Sequence, residues 1–103
     1  MSKKLCLTNS EINVINDFLK MFPQIEAAKV FGSRVLGNYK EGSDIDIAIF
    51  GKETNRRITS DLKFEIEEES DLPYFVDVVS YEYLQELNLK AHIDRFGIDI
   101  YRR

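Results

Sequence analysis

The segment Asp44-Ile45-Asp46-Ile47-Ala48-Ile49-Phe50 restricts the fold more than any other part of the chain. Its β-branched, apolar character, stopped by Gly51, reads as a strand over residues 44–50. In a strand, residues i and i+2 share a face, so Asp44 and Asp46 project together while Ile45, Ile47 and Ile49 take the other side. Beyond the aspartates their face continues as Ala48 and Phe50, so the strand is expected to be buried on both sides with the carboxylates at its N-terminal end. Two carboxylates about 6 Å apart repel by roughly 3 kcal/mol at an effective dielectric near 20. A cation turns that repulsion into binding, and oxygen-only ligands favour a hard ion such as Mg²⁺.

Upstream, an apolar run over 27–31 predicts another strand, and it ends in Gly32-Ser33. Gly32 lacks a Cβ, so its backbone can approach a ligand closely. Ser33 adds a hydroxyl and a backbone N–H. A short helix beginning at Ser33 and breaking at Gly37 would offer free N–H groups to phosphate. A phosphate cradle beside a carboxylate pair describes a metal–nucleotide site.

Gly32-Ser33, ten residues, then Asp44-Ile45-Asp46 resembles the GS-x10-DxD signature of the DNA polymerase β-like nucleotidyltransferases. The short length is similar to that of the minimal nucleotidyltransferase (MNT) group, the antitoxin half of HEPN–MNT toxin–antitoxin pairs. The resemblance runs over about residues 30–101. It implies an α/β (α+β) fold, a nucleotidyltransferase-like mixed sheet of three to four strands with helices packed against it, forming a single domain over 1–103. It also implies that Asp44 and Asp46 bind two Mg²⁺ ions and the nucleotide's phosphates, and that Gly32 and Ser33 hold the β,γ-phosphates.

Asp77 lies inside Tyr-Phe-Val-Asp-Val-Val, a strand expected over 74–79. By itself it suits either a third carboxylate of the site or a salt-bridged or edge position, because ionised groups are seldom buried without a partner. The family places a third aspartate on the following strand. The resemblance therefore assigns Asp77 to the catalytic metal and to deprotonation of the acceptor hydroxyl. Relatives often carry a second basic residue two positions after the first arginine; here Leu36 stands there. Arg34 suits phosphate binding and a surface position equally, and Lys40 is read as a loop residue.

The remaining elements follow from pattern. A helix is expected over 9–21, with Thr8 and Glu11 as a capping box and Leu7 and Ile12 as a hydrophobic staple. Ile12, Ile15, Phe18, Leu19 and Phe22 form its buried stripe, and Pro23 ends it. Residues 38–43 read as a polar loop. A helix over 55–69, capped by Thr54, should bury Ile58, Leu62 and Ile66 and leave an acidic, solvated face. Ser80 is a candidate cap for a last helical region over 81–96, broken near Asn88, with Leu84, Leu87, Ala91 and Phe96 as its core. Gly97 suits the helix end, and 98–101 alternates as a final strand. His92, the single histidine, is read as a surface helix residue because no Cys or second His supports a metal site.

Composition sets the outer limits. The 103 residues allow one modest core, and a net charge of −4 argues against a long nucleic acid as main partner. It leaves room for ATP, whose charge a metal can offset. No apolar run reaches membrane-spanning length, and Thr8-Asn9-Ser10-Glu11 interrupts any signal-peptide core. One cysteine, Cys6, has no partner for an internal disulfide, which favours the cytoplasm. A chain this short has little left to build an acceptor pocket, so a second protein is expected to supply both substrate and wall. The resemblance implies transfer of AMP from ATP to a tyrosine of a cognate HEPN-type toxin, an all-α ribonuclease, within a hetero-oligomer. Two alternatives stand beside this: a non-catalytic module that neutralises its partner by binding, and a small-molecule nucleotidyltransferase of the aminoglycoside-modifying kind, which usually has a second domain.

Overall fold

The computed structural model describes residues 7–37 and 44–103. Cys6, Lys40 and the expected loop over 38–43 lie outside the described residues. The elements run α1 (Asn9–Lys20), β1 (Ala27–Phe31), α2 (Ser33–Leu36), β2 (Ile45–Phe50), α3 (Arg56–Glu69), β3 (Val76–Ser80), a 3₁₀ turn (Tyr81–Tyr83), α4 (Leu87–Phe96) and β4 (Ile98–Arg102). One four-stranded sheet has the order β3-β2-β1-β4. β1 runs antiparallel to β2 and β4, while β2 and β3 are parallel. A parallel neighbour requires a crossover, and α3 supplies it.

The two sheet faces differ in purpose. Ala28, Val30, Ile45, Ile47, Ile49 and Val76 pack with Ile15 and Leu19 of α1 and with Ile58, Leu62 and Ile66 of α3. Each fully buried Leu or Ile in such a layer contributes roughly 1.5–3 kcal/mol. The opposite face carries a smaller cluster of Phe31, Ala48 and Ile93. The alternation along β2 thus sends its isoleucines to the main core and Asp46, Ala48 and Phe50 to the second face.

The α1 boundary chemistry matches the sequence pattern. Thr8 Oγ1 accepts from the Glu11 N–H at 3.0 Å, and Glu11 Oε1 accepts from the Thr8 N–H at 2.9 Å. Leu7 is fully buried and Ile12 packs against the same core. The start of α3 differs from expectation. Asn55 is its cap, accepting from the Ile58 N–H at 3.0 Å. Thr54 is buried one residue earlier, donating to the Gly51 carbonyl at 2.7 Å and sitting 2.7 Å from Ser80 Oγ. Ser80 is therefore engaged with Thr54 and makes no side-chain cap for the 3₁₀ turn.

The acidic end of α3 is not simply solvated. Glu67 is only 14% exposed and accepts from the Val76 N–H at 2.8 Å and from Lys63 Nζ at 2.8 Å. Lys63 Nζ also donates to the Val76 carbonyl at 2.6 Å. Two α3 side chains thereby occupy both backbone groups of Val76 on β3, the strand at the sheet's edge. Partial burial pushes the Glu67 carboxyl up, but the Lys63 hydrogen bond, the Val76 N–H and the Lys63 charge together hold it below its ordinary value.

The last helix is shorter and rotated relative to expectation. α4 begins at Leu87, and Leu87 itself is 78% exposed. Ala91 and Phe96 are also exposed. The inward stripe is Leu89, His92 and Ile93, with Ile93 fully buried. Gly97 adopts an extended rather than a left-handed conformation, and its N–H donates to the Ile93 carbonyl at 2.8 Å.

Candidate active site

β1 delivers the Gly-Ser turn to the first residues of β2. Phe31 is the antiparallel partner of Asp46, so the chain leaving β1 passes directly beside the aspartate strand. Gly32 has φ +82° and ψ −150°, a backbone region that residues with a Cβ avoid. There is no room for one either: a Cβ at Gly32 would collide with Oδ2 of Asp46 and lie 3.1 Å from its carboxyl carbon. The glycine therefore lets a carboxylate sit flush against the turn. The Gly32 carbonyl accepts from the Val35 and Leu36 N–H groups at 3.2 and 3.3 Å, which closes α2. Gly37 ends α2 in the left-handed conformation. α2 is a single turn, too short to accumulate a helix dipole, so any grip on phosphate rests on close backbone approach and the Ser33 hydroxyl.

Asp46 and Asp77 share one side of the sheet, and Asp44, just before β2, lies near enough for its charge to act on Asp46. Asp46 and Asp77 are direct partners in the parallel β2–β3 pairing, and Asp44 precedes Asp46 by two residues. Burial raises the Asp46 carboxyl above its ordinary value; the negative charges of Asp77 and Asp44 add to this, and His92 offsets it slightly. Asp44 is exposed, and Asp77 is 61% exposed with Oδ1 3.9 Å from Lys63 Nζ. Asp77 therefore combines both readings of its sequence context: it belongs to an edge strand with a nearby cation, and it faces the same way as Asp46. The Lys63 ammonium is held protonated chiefly by its hydrogen bond to Glu67, with further support from the charges of Glu67, Asp77 and Asp44.

The donor set is oxygen-only and mutually repelling, and such a set fits a hard divalent cation. Among the described residues, however, no group of three or more His, Cys, Asp or Glu side chains stands ready to hold a metal. Asp77 is exposed, with Oδ1 3.9 Å from Lys63 Nζ. A cavity of about 450 Å³ lies elsewhere, lined by Lys29, Phe50, Glu82, Asp99 and Arg102 among others, and it includes none of the three aspartates.

For two residues near the turn the structure sets aside a surface position, one of two sequence readings for Arg34 and the reading for His92. Arg34 is not a surface residue: it is 2% exposed, with its guanidinium 4.7 Å from the centre of the Tyr74 ring. His92 is half-buried, and its Nε2 accepts from the Gly32 N–H at 2.9 Å. Its ring meets Phe31 edge-on with centroids 6.0 Å apart and lies 5.4 Å from Phe96. The missed signal was the spacing Leu89, His92, Ile93, Phe96, an i, i+3, i+4, i+7 pattern that marks one helix face.

A mixed sheet in which a glycine turn abuts an aspartate strand, with a third aspartate on the parallel neighbour, defines a nucleotidyltransferase fold. The family comparison agrees, since the model described as "Polymerase beta, Nucleotidyltransferase" matches residues 13–103. The chain belongs to that family. It is 31% identical over 83 residues to a protein of Haemophilus influenzae named "Probable protein adenylyltransferase MntA", covering 81% of this chain and 73% of that protein. Its fold is similar to a crystal structure of a toxin–antitoxin with AMP-PNP, at a TM-score of 0.75 and 22% identity over 89% of this chain and 73% of that one. It is also similar to a chain in the complex of tri-AMPylated Shewanella oneidensis HEPN toxin with MNT antitoxin, at a TM-score of 0.68 and 21% identity over 89% of this chain and 70% of that one. Among the described residues, no helix is long and apolar enough to cross a membrane.

Proposed function

We propose that this chain is a Mg²⁺-dependent protein adenylyltransferase that acts as an antitoxin, moving AMP from ATP to a tyrosine of a cognate HEPN-type toxin in the cytoplasm. The observation that carries this reading is the packing of Gly32 against the Asp46 carboxylate, with Asp77 as the paired residue on β3. The 31% identity to a probable protein adenylyltransferase supports the reaction class. The likeness to antitoxin chains supports a protein acceptor.

In this reading Asp44, Asp46 and Asp77 would hold two Mg²⁺ ions, which would supply positive charge against the triphosphate. Gly32 and Ser33 seat the β,γ-phosphates. The tyrosine oxygen forms a bond to the α-phosphorus, and the bond to the bridging oxygen breaks, its electron pair leaving with pyrophosphate. Asp77 accepts the hydroxyl proton. Its exposed position on the edge strand suits contact with a group that arrives on another protein.

The test is to mix the chain with its partner, ATP and Mg²⁺ and weigh the partner by mass spectrometry. AMP adducts are expected, and Asp44→Ala should abolish them. An unmodified authentic partner would remove the enzyme reading. The second reading, neutralisation by surface contact, draws on exposed Phe75, just before β3, and exposed Tyr83, in the 3₁₀ turn after it. The double variant Asp44→Ala, Asp46→Ala separates the two, because a pure blocker should still neutralise its partner.

A further inference from the structure

The Gly-Ser turn is held from two sides. β2 presents the Asp46 carboxylate to Gly32, as described above, and α4 presents His92. The contact from α4 is a hydrogen bond between residues 60 positions apart, from the Gly32 N–H to His92 Nε2 at 2.9 Å. To accept there, the imidazole must be neutral with its proton on Nδ1. The ring packs against apolar neighbours: Phe31 meets it edge-on and Phe96 lies beside it. Ile93, the next residue of α4, is fully buried against Phe31 and Ala48 and anchors the helix that carries the ring.

We infer that His92 is a positioning residue for nucleotide binding, which rests on the nucleotidyltransferase reading above. Its Nε2 fixes the peptide plane that enters Gly32 and so holds the turn in the left-handed conformation that a phosphate must meet. One consequence concerns the chemistry of the turn. The Gly32 N–H is already committed to the imidazole, so Gly32 serves phosphate through its missing Cβ and not as a donor. Donation falls to Ser33, since the Val35 and Leu36 N–H groups already donate to the Gly32 carbonyl and the Gly37 N–H to that of Ser33. A turn that grips phosphates equally before and during the reaction affects KM more than kcat.

His92→Phe keeps a flat ring between Phe31 and Phe96 but removes the acceptor, whereas His92→Gln places an amide oxygen near the position of Nε2. Two measurements are needed. Amide exchange of Gly32 in the isolated protein should speed up at least tenfold in His92→Phe and return toward the wild-type rate in His92→Gln. The KM for ATP in partner adenylylation should rise about tenfold in His92→Phe, with kcat changed less than threefold, and His92→Gln should recover most of the loss. Faster exchange with an unchanged KM would make His92 a purely structural residue and overturn the inference. Unchanged exchange would overturn it as well. If the wild type shows no adenylylation, the reaction assignment fails, and the exchange rates with calorimetric ATP–Mg²⁺ affinity still decide the role of His92. If His92→Phe does not fold, ¹⁵N spectra of the wild-type imidazole decide: a proton on Nδ1 with an accepting Nε2 supports the inference, and a proton on Nε2 refutes it.

Discussion

Replacing Gly32 with alanine perturbs the backbone and the carboxylate at once. The φ of +82° with ψ −150° falls in a region essentially reserved for glycine, and holding another residue there costs about 1–3 kcal/mol. The new methyl group would overlap Oδ2 of Asp46, so either the aspartate swings away or β1 and β2 separate locally. Overpacking of this kind adds about 1–3 kcal/mol. A destabilisation of about 2–6 kcal/mol is therefore expected, read from urea unfolding of the isolated chain. The two parts can be separated with Asp46→Ala, which removes the colliding oxygen and leaves the backbone strain. In a double-mutant cycle, Asp46→Ala should return about 1–2 kcal/mol of the loss caused by Gly32→Ala. A Gly32→Ala penalty below about 0.5 kcal/mol would refute the close approach of turn and carboxylate. A full penalty with no coupling to Asp46 would refute the steric part alone.

Leu62→Ala, which opens a hole between α3 and the isoleucine face of the sheet, should lower stability by about 2–5 kcal/mol in the same assay. Glu67→Gln should cost about 1–2 kcal/mol near neutral pH, because it removes a charged acceptor from Lys63 and from the Val76 N–H. Since the Glu67 carboxyl is held below its ordinary value, its contribution is complete above about pH 4.3 and disappears as pH falls through the lower folded-state value, so the wild type and variant should converge in acid; a constant gap down to pH 2 would contradict this. Lys63→Met should loosen the same edge and also remove the cation beside Asp77, so the Mg²⁺ concentration needed for half-maximal binding, measured by calorimetry, should change along with stability.

Much of the architecture was legible because it depended on local pattern. The limits of β1, the break at Gly37, the capping box at Thr8 and the two-sided burial of β2 follow from residues close together in the chain. The errors arose where a polar side chain had two uses. Thr54 and Ser80 each suit a helix cap, but the structure joins them to one another across 26 positions, and Asn55 takes the capping role. Once Ser80 was assigned as a cap, a helix starting at Tyr81 followed, and its stripe fell on Leu87 and Ala91 in place of Leu89 and Ile93. His92 was lost in the same step. That Asp46 faces away from Ile45, Ile47 and Ile49 was readable from period two alone, whereas the pairing of Asp77 with Asp46 depends on the register of two strands brought together by α3. Register of that kind leaves little trace in one sequence.

The division of the sheet into two faces explains how a chain of this size tolerates such a site. Asp44, Asp46 and Asp77 gather negative charge, and burial together with that charge disfavours ionising Asp46. That penalty must be offset where no chemistry is needed. The isoleucine face does this: Ile45, Ile47 and Ile49 are all fully buried against α1 and α3, on the same strand that carries Asp46 to the other side. Thus one alternating segment anchors the core and exposes the charge, and neither role disturbs the other. The second face is correspondingly thin, with Phe31, Ala48 and Ile93 as its buried members. A thin cluster leaves Asp44 and Asp77 exposed at its border, where an approaching nucleotide or protein can reach them. On this face the Gly-Ser turn is held by the hydrogen bond from the Gly32 N–H to His92, while Val35 of α2 packs against the main core.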